Sequence, residues 1–502
     1  FWRWCVNDET GLWCYMIPFG EWLPDQSDLG SVGTTVAKNV IPAARGYRPF
    51  LGLANLSAAT DSHLRGFFGS IDSGGTVHLF AGNATKLLKL NNSTAALTDV
   101  KSGAYTLASD DQWKFVQFGN SVYAASGLSN LLQKYTIGSS STFADVSGSP
   151  KAKHLAVIRD FVVTANNNTS STNNPFRVQW SQINDADTWT TGTNQADFQD
   201  IPDAGKITGL VGGEYGTVLL ERGIVRMQYV GTPLIFTFDA VETGHGCQYP
   251  NSVSATSPQQ IFYLADDGFF MFNGQRSIPI GAEKVDTFFF DDLSPNHINR
   301  LSCAIDPVNQ VVLWSYVSRE SISGEPDKII MYNYAVNRWS LAEIGHEFIG
   351  TIVSPNFTLE ALDNISSSLD ALGTSLDSRF FRGGQSAFAA SSSSKIASFT
   401  GDALSATLET GEFEPANLRK SLVKSVTPYV TSKDVAPTLT VSVGSRSRQI
   451  DTVSFTNTAQ LNSDNIVPVR SNGRYHRVRV TASGTWRYAL GVDVDAVGLG
   501  RR

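Results

Sequence analysis

The stretch LRGFFGSIDSGGTVHLFAG, residues 64–82, reads as a strand, a tight polar turn and a second strand. The same pattern returns as WKFVQFGNSVYAAS (113–126), HLAVIRDFVVTAN (154–166), ITGLVGGEYGTVLLER (207–222), SVSATSPQQIFYLAD (252–266) and LSCAIDPVNQVVLWSY (301–316). The second strands open at Val77, Ser121, Phe161, Thr217, Ile261 and Val311, so the spacings are 44, 40, 56, 44 and 50 residues. Self-similarity at this period is the signature of β-propeller blades.

Each copy continues as a four-stranded blade requires. Third strands are read at TKLLKL (85–90), LLQKYT (131–136), RVQWS (177–181), IVRMQYVG (224–231), GFFMFNG (268–274) and KIIMYNY (328–334). Fourth strands are read at LTDV (97–100), FADV (143–146), FTFDAV (236–241), SIPIG (277–281) and RWSLAEI (338–344). Short runs rich in Val, Ile, Phe and Tyr between Gly, Asn and Asp turns are hairpin chemistry, because those turns need backbone angles that few residues adopt cheaply. The expected fold is therefore all-β, a propeller of six or seven four-stranded blades followed by a C-terminal antiparallel β-sandwich-like domain.

The flanks set the expected boundaries. Residues 1–15 match nothing downstream in style and read as a non-native leader. Residues 16–50 hold prolines beside aromatics and read as an extended arm, with Trp22, Pro24, Tyr47 and Phe50 as docking residues. Six blade repeats fill 51–354. In 355–402, Leu-Asp recurs at 362/363, 369/370 and 376/377 and interrupts an incomplete seventh blade built from SAFAAS (386–391) and KIASFTG (395–401). From 403 to 502 the strands lengthen and alternate, as in a sandwich. There RYHRVRV puts Tyr475, Arg477 and Arg479 on one face and His476, Val478 and Val480 on the other.

Composition excludes whole classes. With 502 residues, 41% hydrophobic and 17% charged, and with 43 glycines and 19 prolines, the chain is neither disordered nor collagen-like. No apolar run approaches the ~18–20 residues of a membrane span, and the first residues lack the pattern of a signal peptide, so a soluble chain outside the usual export route is expected. Four cysteines, at 5, 14, 247 and 303, lack zinc-site spacing, and disulfides are not expected to hold the fold. The N-x-S/T triplets, including those at Asn83 and Asn356, are taken as unmodified loops.

Net charge is −7, divided as +4 over residues 401–502 and −11 over 1–400. A tight sequence-independent nucleic-acid binder needs the opposite sign, since its affinity comes from counterions released by Lys and Arg.

Catalytic motifs are scarce: there is no Walker A loop, no HExxH, no G-x-S-x-G and no paired CxxC. GLVGGEYG (209–216) lacks the phosphate-loop lysine and lies between two strands, so it reads as a hairpin. Asp266-Asp267-Gly268 reads as a turn before it reads as a carboxylate site, and Asp291-Asp292 is the other acidic pair. His245 and Cys247 offer two metal ligands with nothing nearby to complete a set. SQINDADTW (181–189) partly matches the S-x-D-x-G-x-x-W turn of sialidase propellers, itself structural. No catalytic residue, metal or cofactor is expected.

Taken together, FGEWLPDQSD, NVIPAARGYRPF, FGNSVYAASG, INDADTW, ITGLVGGEYG, RMQYVGTPLIFTFD, DDGFFMFNG, PIGAEKVDTFFF, YNYAVNRWS, LDSRFFRGG and GRYHRVRV resemble the tail-hub or tail-nozzle proteins of bacteriophages, also called packaged-DNA stabilisation proteins of short-tailed phages. The likeness runs from about Ile17 to Arg502. It implies a non-enzymatic virion tail protein, made in the bacterial cytoplasm and assembled as a ring, typically a homo-hexamer, below the portal and adaptor. Such a ring continues and closes the DNA channel, conducts DNA at ejection and touches needle or fibre proteins.

The residues fit such a role on their own terms. Six copies at −7 each carry −42, and an acidic wall repels phosphate and lets double-stranded DNA slide. Arg474, Arg477 and Arg479 are the expected salt-bridged interface residues. The alternative reading is a carbohydrate-active or glycan-binding propeller, either a sialidase-like hydrolase or a receptor-binding tail protein. A hydrolase of that kind needs two carboxylates ~5–9.5 Å apart at the axial mouth.

Overall fold

In the computed structural model, residues 5–7, 12–28, 33–101, 103–109, 111–169, 172–355, 384, 386–416, 419–432 and 435–499 are described. The Leu-Asp repeat at 362–377 and the segment LDSRFFRGG lie outside them.

Short alternating strands and tight turns fold as the local chemistry dictates, into a seven-bladed β-propeller with a β-sandwich attached. Blades 1 to 5 are separate four-stranded antiparallel meanders, with inner strands Leu64–Ile71, Lys114–Phe118, Lys151–Ile158, Ile207–Val211 and Ser254–Ser257. Blade 6 runs from Ser302–Asp306 through Val311–Tyr316 and Lys328–Asn333 to Arg338–Glu343. Second strands are largely buried, and Gly216–Leu220 and Val311–Tyr316 wholly so, because each is covered by blades on both faces.

Close packing between blades is visible at Gly82. A Cβ there would lie 2.3 Å from the Trp113 indole, whose Nε1 donates to the Asn83 carbonyl at 2.8 Å. Only glycine lets the ring of blade 2 sit flat on blade 1.

Blade 7 departs from the sequence expectation. It is a full four-stranded sheet gathered from three chain segments: Phe348–Val353, then Ser386–Ser392 and Lys395–Ser398, then Ala54–Asn55 as outermost strand. The boundary expected at residue 354 therefore cuts through a blade. Pairing of Ala397 with Asn55 and Ser398 with Ala54 closes the ring with a strand from near its start.

The expected arm is not an arm. Thr34–Lys38 pairs in parallel with blade 6 at Lys38 and Leu341, and antiparallel with Ala406–Thr410 of the sandwich. This makes one ten-stranded sheet that runs from the propeller into Tyr475–Ser483 and Thr438–Arg446. Leu12–Pro18 pairs with Tyr488–Gly498 from Leu12 and Val497 to Pro18 and Gly491, so residues 12–15, read as a leader, lie in the second sandwich sheet. That sheet also holds Ser421–Thr431 and Val467–Gly473. Exposed backbone at a sheet edge is a strong pairing site, and an extended segment lying along two such edges is drawn into both. Between the sandwich sheets, Leu408, Val441, Val443, Val478 and Val480 face Val423, Val426, Val467, Val492 and Val494.

Candidate functional site

Propellers present loops from every blade at the mouths of their axis, and several charged side chains meet at one mouth here. Loops that precede or flank the inner strands of blades 7, 1 and 2 meet the Pro295–Arg300 turn before blade 6 around a cleft of about 240 Å³. His63 stands between two carboxylates, with Nδ1 3.4 Å from Glu325 and Nε2 3.9 Å from Glu347. Arg300 forms an ion pair with Glu325 from the far side. The Ser394 amide donates to one oxygen of Glu347 at 2.8 Å, while the other oxygen is buried without a hydrogen-bond partner. Asp111 pairs with Lys153 at 3.1 Å, and Arg65 donates to the Ala108 carbonyl at 2.8 Å. The cleft is thus a mixed-charge rim suited to a polar ligand.

Beyond a second cleft of about 330 Å³, which shares Asp111, Gln112 and Asn299 with the rim, lies the axial cavity of about 670 Å³. At about 30 Å³ per molecule it has room for roughly twenty waters.

The sequence-derived docking residues are placed elsewhere. Trp22 is 3% exposed, Tyr47 0% and Phe50 1%, so none is free to dock a partner; Pro24 is half-buried. Trp22 and Tyr47 fall in the core shared by blades 5 and 6 and the sandwich, and Trp22 meets Phe288 edge-on at 5.2 Å. Phe50 packs on Phe388 and Phe399 between blades 6 and 7. These aromatics dock their own chain, since apolar side chains beside strands are buried first by the nearest core.

The arginines are salt-bridged, but within the chain. Arg474 meets Glu414 at 2.8 Å, and Arg479 meets Glu409 at 2.8 Å. Arg477 reaches Asp28 at 2.6 Å and Glu409 at 3.6 Å. Arg446, which sequence reading missed, forms an ion pair with the buried Glu412. The face read as a contact for neighbours is turned to Glu409 of the paired strand and to the 28 and 412 loops.

The remaining motifs are structural. Asp185 holds its turn through the Asp187 amide and the Thr188 hydroxyl, both at 2.9 Å, and Trp189 is buried against blade 2. Cys247 lies buried beside Ser252, its thiol pushed up to about 11 by burial, and His245 faces Asp267 at 3.8 Å. Among the described residues no three His, Cys, Asp or Glu side chains gather as metal ligands. Sequence reasoning missed His63, Glu325 and Glu347 because each sits singly on a loop of a different blade, with no motif spacing to mark it.

No family model matches the chain, and no curated relative does. Among solved structures it is similar to the extracellular domain of a hybrid two-component system from B. thetaiotaomicron, at 12% identity and a TM-score of 0.41, over 77% of this chain and 43% of that one. The match spans less than half of that protein. It is also similar to apo AztD from Citrobacter koseri, at 11% identity and a TM-score of 0.30 over 56% and 72% of the chains. An ancestral GH74 enzyme matches at 9% identity and a TM-score of 0.28, over 60% and 34%.

Proposed function

We propose that this protein is a non-catalytic structural component of a bacteriophage tail, a nozzle or hub that assembles as a ring below the portal and adaptor, retains packaged DNA and conducts it on ejection. One observation supports the reading above others. Of the segments that carry the tail-protein resemblance, FGEWLPDQSD, NVIPAARGYRPF, DDGFFMFNG, PIGAEKVDTFFF, YNYAVNRWS and GRYHRVRV are far apart in the chain. Yet Phe19, Trp22, Val40, Tyr47, Phe269, Ile280, Val285, Phe289, Tyr332, Trp339 and Val478 share one core at the junction of propeller and sandwich. The resemblance thus falls on residues that fix two domains at one angle. A wall that bears pressure needs such a junction; a catalytic cleft does not.

In this role six copies enclose the channel, the net negative charge keeps DNA from sticking, and adaptor, needle or fibre proteins contact the outer surfaces. Electron microscopy and light scattering of the purified chain, alone and mixed with its adaptor ring, test it. A closed ring is expected. A strict monomer that ignores the adaptor overturns the reading.

A second reading rests on the mouth. Glu325 and Glu347 both stand against His63, an arrangement compatible with the carboxylate pair of a glycosidase or with a glycan-binding rim. Against hydrolysis, Glu325 is already engaged by Arg300. Release of reducing sugar from a panel of oligosaccharides, lost in Glu325→Gln and Glu347→Gln, would favour this reading over the first.

A further inference from the structure

The crevice where propeller, N-terminal segment and sandwich meet holds a groove of about 370 Å³. Its walls are aromatic. Phe50, Phe388 and Phe399 line it from the propeller, with Phe388 and Phe399 stacked at 4.4 Å, and Trp486 and Tyr488 line it from the sandwich. Apolar clefts of this size between domains are where ligands are ordinarily held.

Arg48 and Arg487 line the same groove, and no carboxylate is among its lining residues. Arg474, Arg477 and Arg479 each meet an acid of their own chain, whereas Arg48 and Arg487 form no ion pair among the described residues. Arg48 is half-buried, and its Nε is buried without a hydrogen-bond partner. Asp306, on the blade 6 turn that supplies Asn309, is engaged by that turn: the Val308 amide donates to it at 3.0 Å and Asn309 Nδ2 at 2.6 Å. A guanidinium kept from full hydration without an anion is costly, and guanidinium beside aromatic walls suits a carboxylate carried on an apolar body.

One stretch of this chain has the complementary chemistry. Residues 356–378 carry Glu360, Asp363, Asp370 and Asp377 with no Lys or Arg, and each aspartate follows a leucine. The strands that flank this stretch open beside the groove. Val353 pairs with Ser386 and Thr351 with Phe388, so the chain leaves and rejoins blade 7 two residues from a groove wall. Ser398 pairs with Ala389 and with Ala54, which puts Phe399 and Leu51, both lining the groove, at that same end of the blade. At ~3.3 Å per extended residue, the nine residues from Asp377 to Ser386 reach up to ~30 Å. Tether length is no obstacle.

We infer that the groove is the seat of this chain's own Leu-Asp segment, with leucines against the aromatic walls and aspartates on Arg48 and Arg487. An acidic segment of another copy or protein offers the same groups, but a tethered one acts at an effective concentration on the order of millimolar and fills the groove first. The inference is independent of the tail reading, since it needs only the junction and blade 7.

A fluorescent peptide of residues 359–377, LEALDNISSSLDALGTSLD, titrated against the full chain and against a variant with 356–383 replaced by a glycine-serine linker, tests it. Anisotropy should show saturable binding to the linker variant and at least ~10-fold weaker binding to the parent, whose groove is filled. In the linker variant, Arg48→Gln or Arg487→Gln should weaken binding ~10-fold or more, and so should Asp363→Asn, Asp370→Asn and Asp377→Asn together in the peptide. Four results each overturn the proposal: no saturable binding to a folded linker variant, parent binding as tight as the variant's, an asparagine peptide that binds as well as the aspartate one, or full affinity in both folded arginine variants. The second of these would give the groove to another copy or partner. Where circular dichroism finds the linker variant unfolded, the full chain carrying the three Asp→Asn substitutions takes its place, and the exposed Arg487 stands in for Arg48 in the same way.

Discussion

Blades 5 and 6 are neighbours built on the same hairpin pattern, but one sheet stops and the other continues. The outer strand of blade 5, Ser277–Pro279, has three residues and ends in a proline, which offers no amide. The outer strand of blade 6, Arg338–Glu343, has six, four of them buried, because the N-terminal segment lies on it. Asn39 donates its amide to the Leu341 carbonyl at 2.7 Å and accepts the Glu343 amide on its side chain at 2.8 Å. A propeller edge is thus either blunted by shortness or recruited as a joint. The same device that keeps isolated blades from pairing with strangers fixes where the sandwich attaches.

The largest effect should come from the joint itself. Trp339 is fully buried, stacks with Trp314, lies tilted against Phe269, and donates from Nε1 to the Ile280 carbonyl at 3.0 Å. Trp339→Ala should cost about 3–5 kcal/mol in denaturant unfolding, with a matching drop in Tm. The exposed Phe198 of blade 3 is the contrast, and Phe198→Ala should stay within about 0.5 kcal/mol. Equal losses at the two positions would erase the distinction between joint and blade.

Next in size is the charge network of the sandwich. Glu412 is nearly fully buried between Arg446 and Arg477. Glu412→Ala should cost about 3 kcal/mol by leaving Arg446 without its carboxylate, and Glu412→Ala with Arg446→Met should recover part of it. A double-mutant cycle showing no coupling would mean that Glu412 and Arg446 do not depend on each other for stability.

A pH effect separates the blade 5 side. Burial, with Asp25 and Asp267 nearby, pushes the Asp286 carboxyl up to about 6. A raised acid binds its proton more tightly when folded, so its contribution to stability is full below the unfolded value near 3.9 and is lost as pH rises through about 6. Asp286→Asn should therefore gain on the order of 2 kcal/mol at pH 7 relative to pH 4. The buried histidines His346 and His476, both held near 4 by burial, act in the opposite direction. Their contribution is full above about 6.5 and is lost as pH falls toward 4. Stability curves of the variant and the parent over pH 4–7 check the difference.

The smallest is a cap. Asp25 accepts the Thr287 and Phe288 amides at 2.8 and 2.7 Å, closing the start of the Asp286–Asp292 helix from the N-terminal segment. Asp25→Ala should cost about 1 kcal/mol in chemical unfolding, and Asp25→Asn about half that. No change would mean that this segment is held by its strands alone.

Much of the fold was legible. The repeat beginning at Leu64 announced the blades because strand and turn chemistry are local, and the alternation in RYHRVRV correctly separated Val478 and Val480 from the arginines. The mouth was not legible, since His63, Glu325 and Glu347 are brought together only by closing the ring. Nor was the partner of each arginine: one-dimensional spacing gives a face, and the opposing charge comes from another strand or loop. Trp22 and Tyr47 are not docking residues for a partner, because the chain's own core at the junction buries them.

By itself the sequence determined the all-β class, the blade period and the change to longer strands after residue 403, each carried by interactions within a few residues of one another. Tertiary structure alone decided that the seventh blade is closed by Ala54–Asn55, that Thr34–Lys38 welds propeller to sandwich, and that His63 stands between Glu325 and Glu347 at the mouth. Those pairings join residues far apart in the chain, where backbone hydrogen bonding and burial select a partner that no local pattern records.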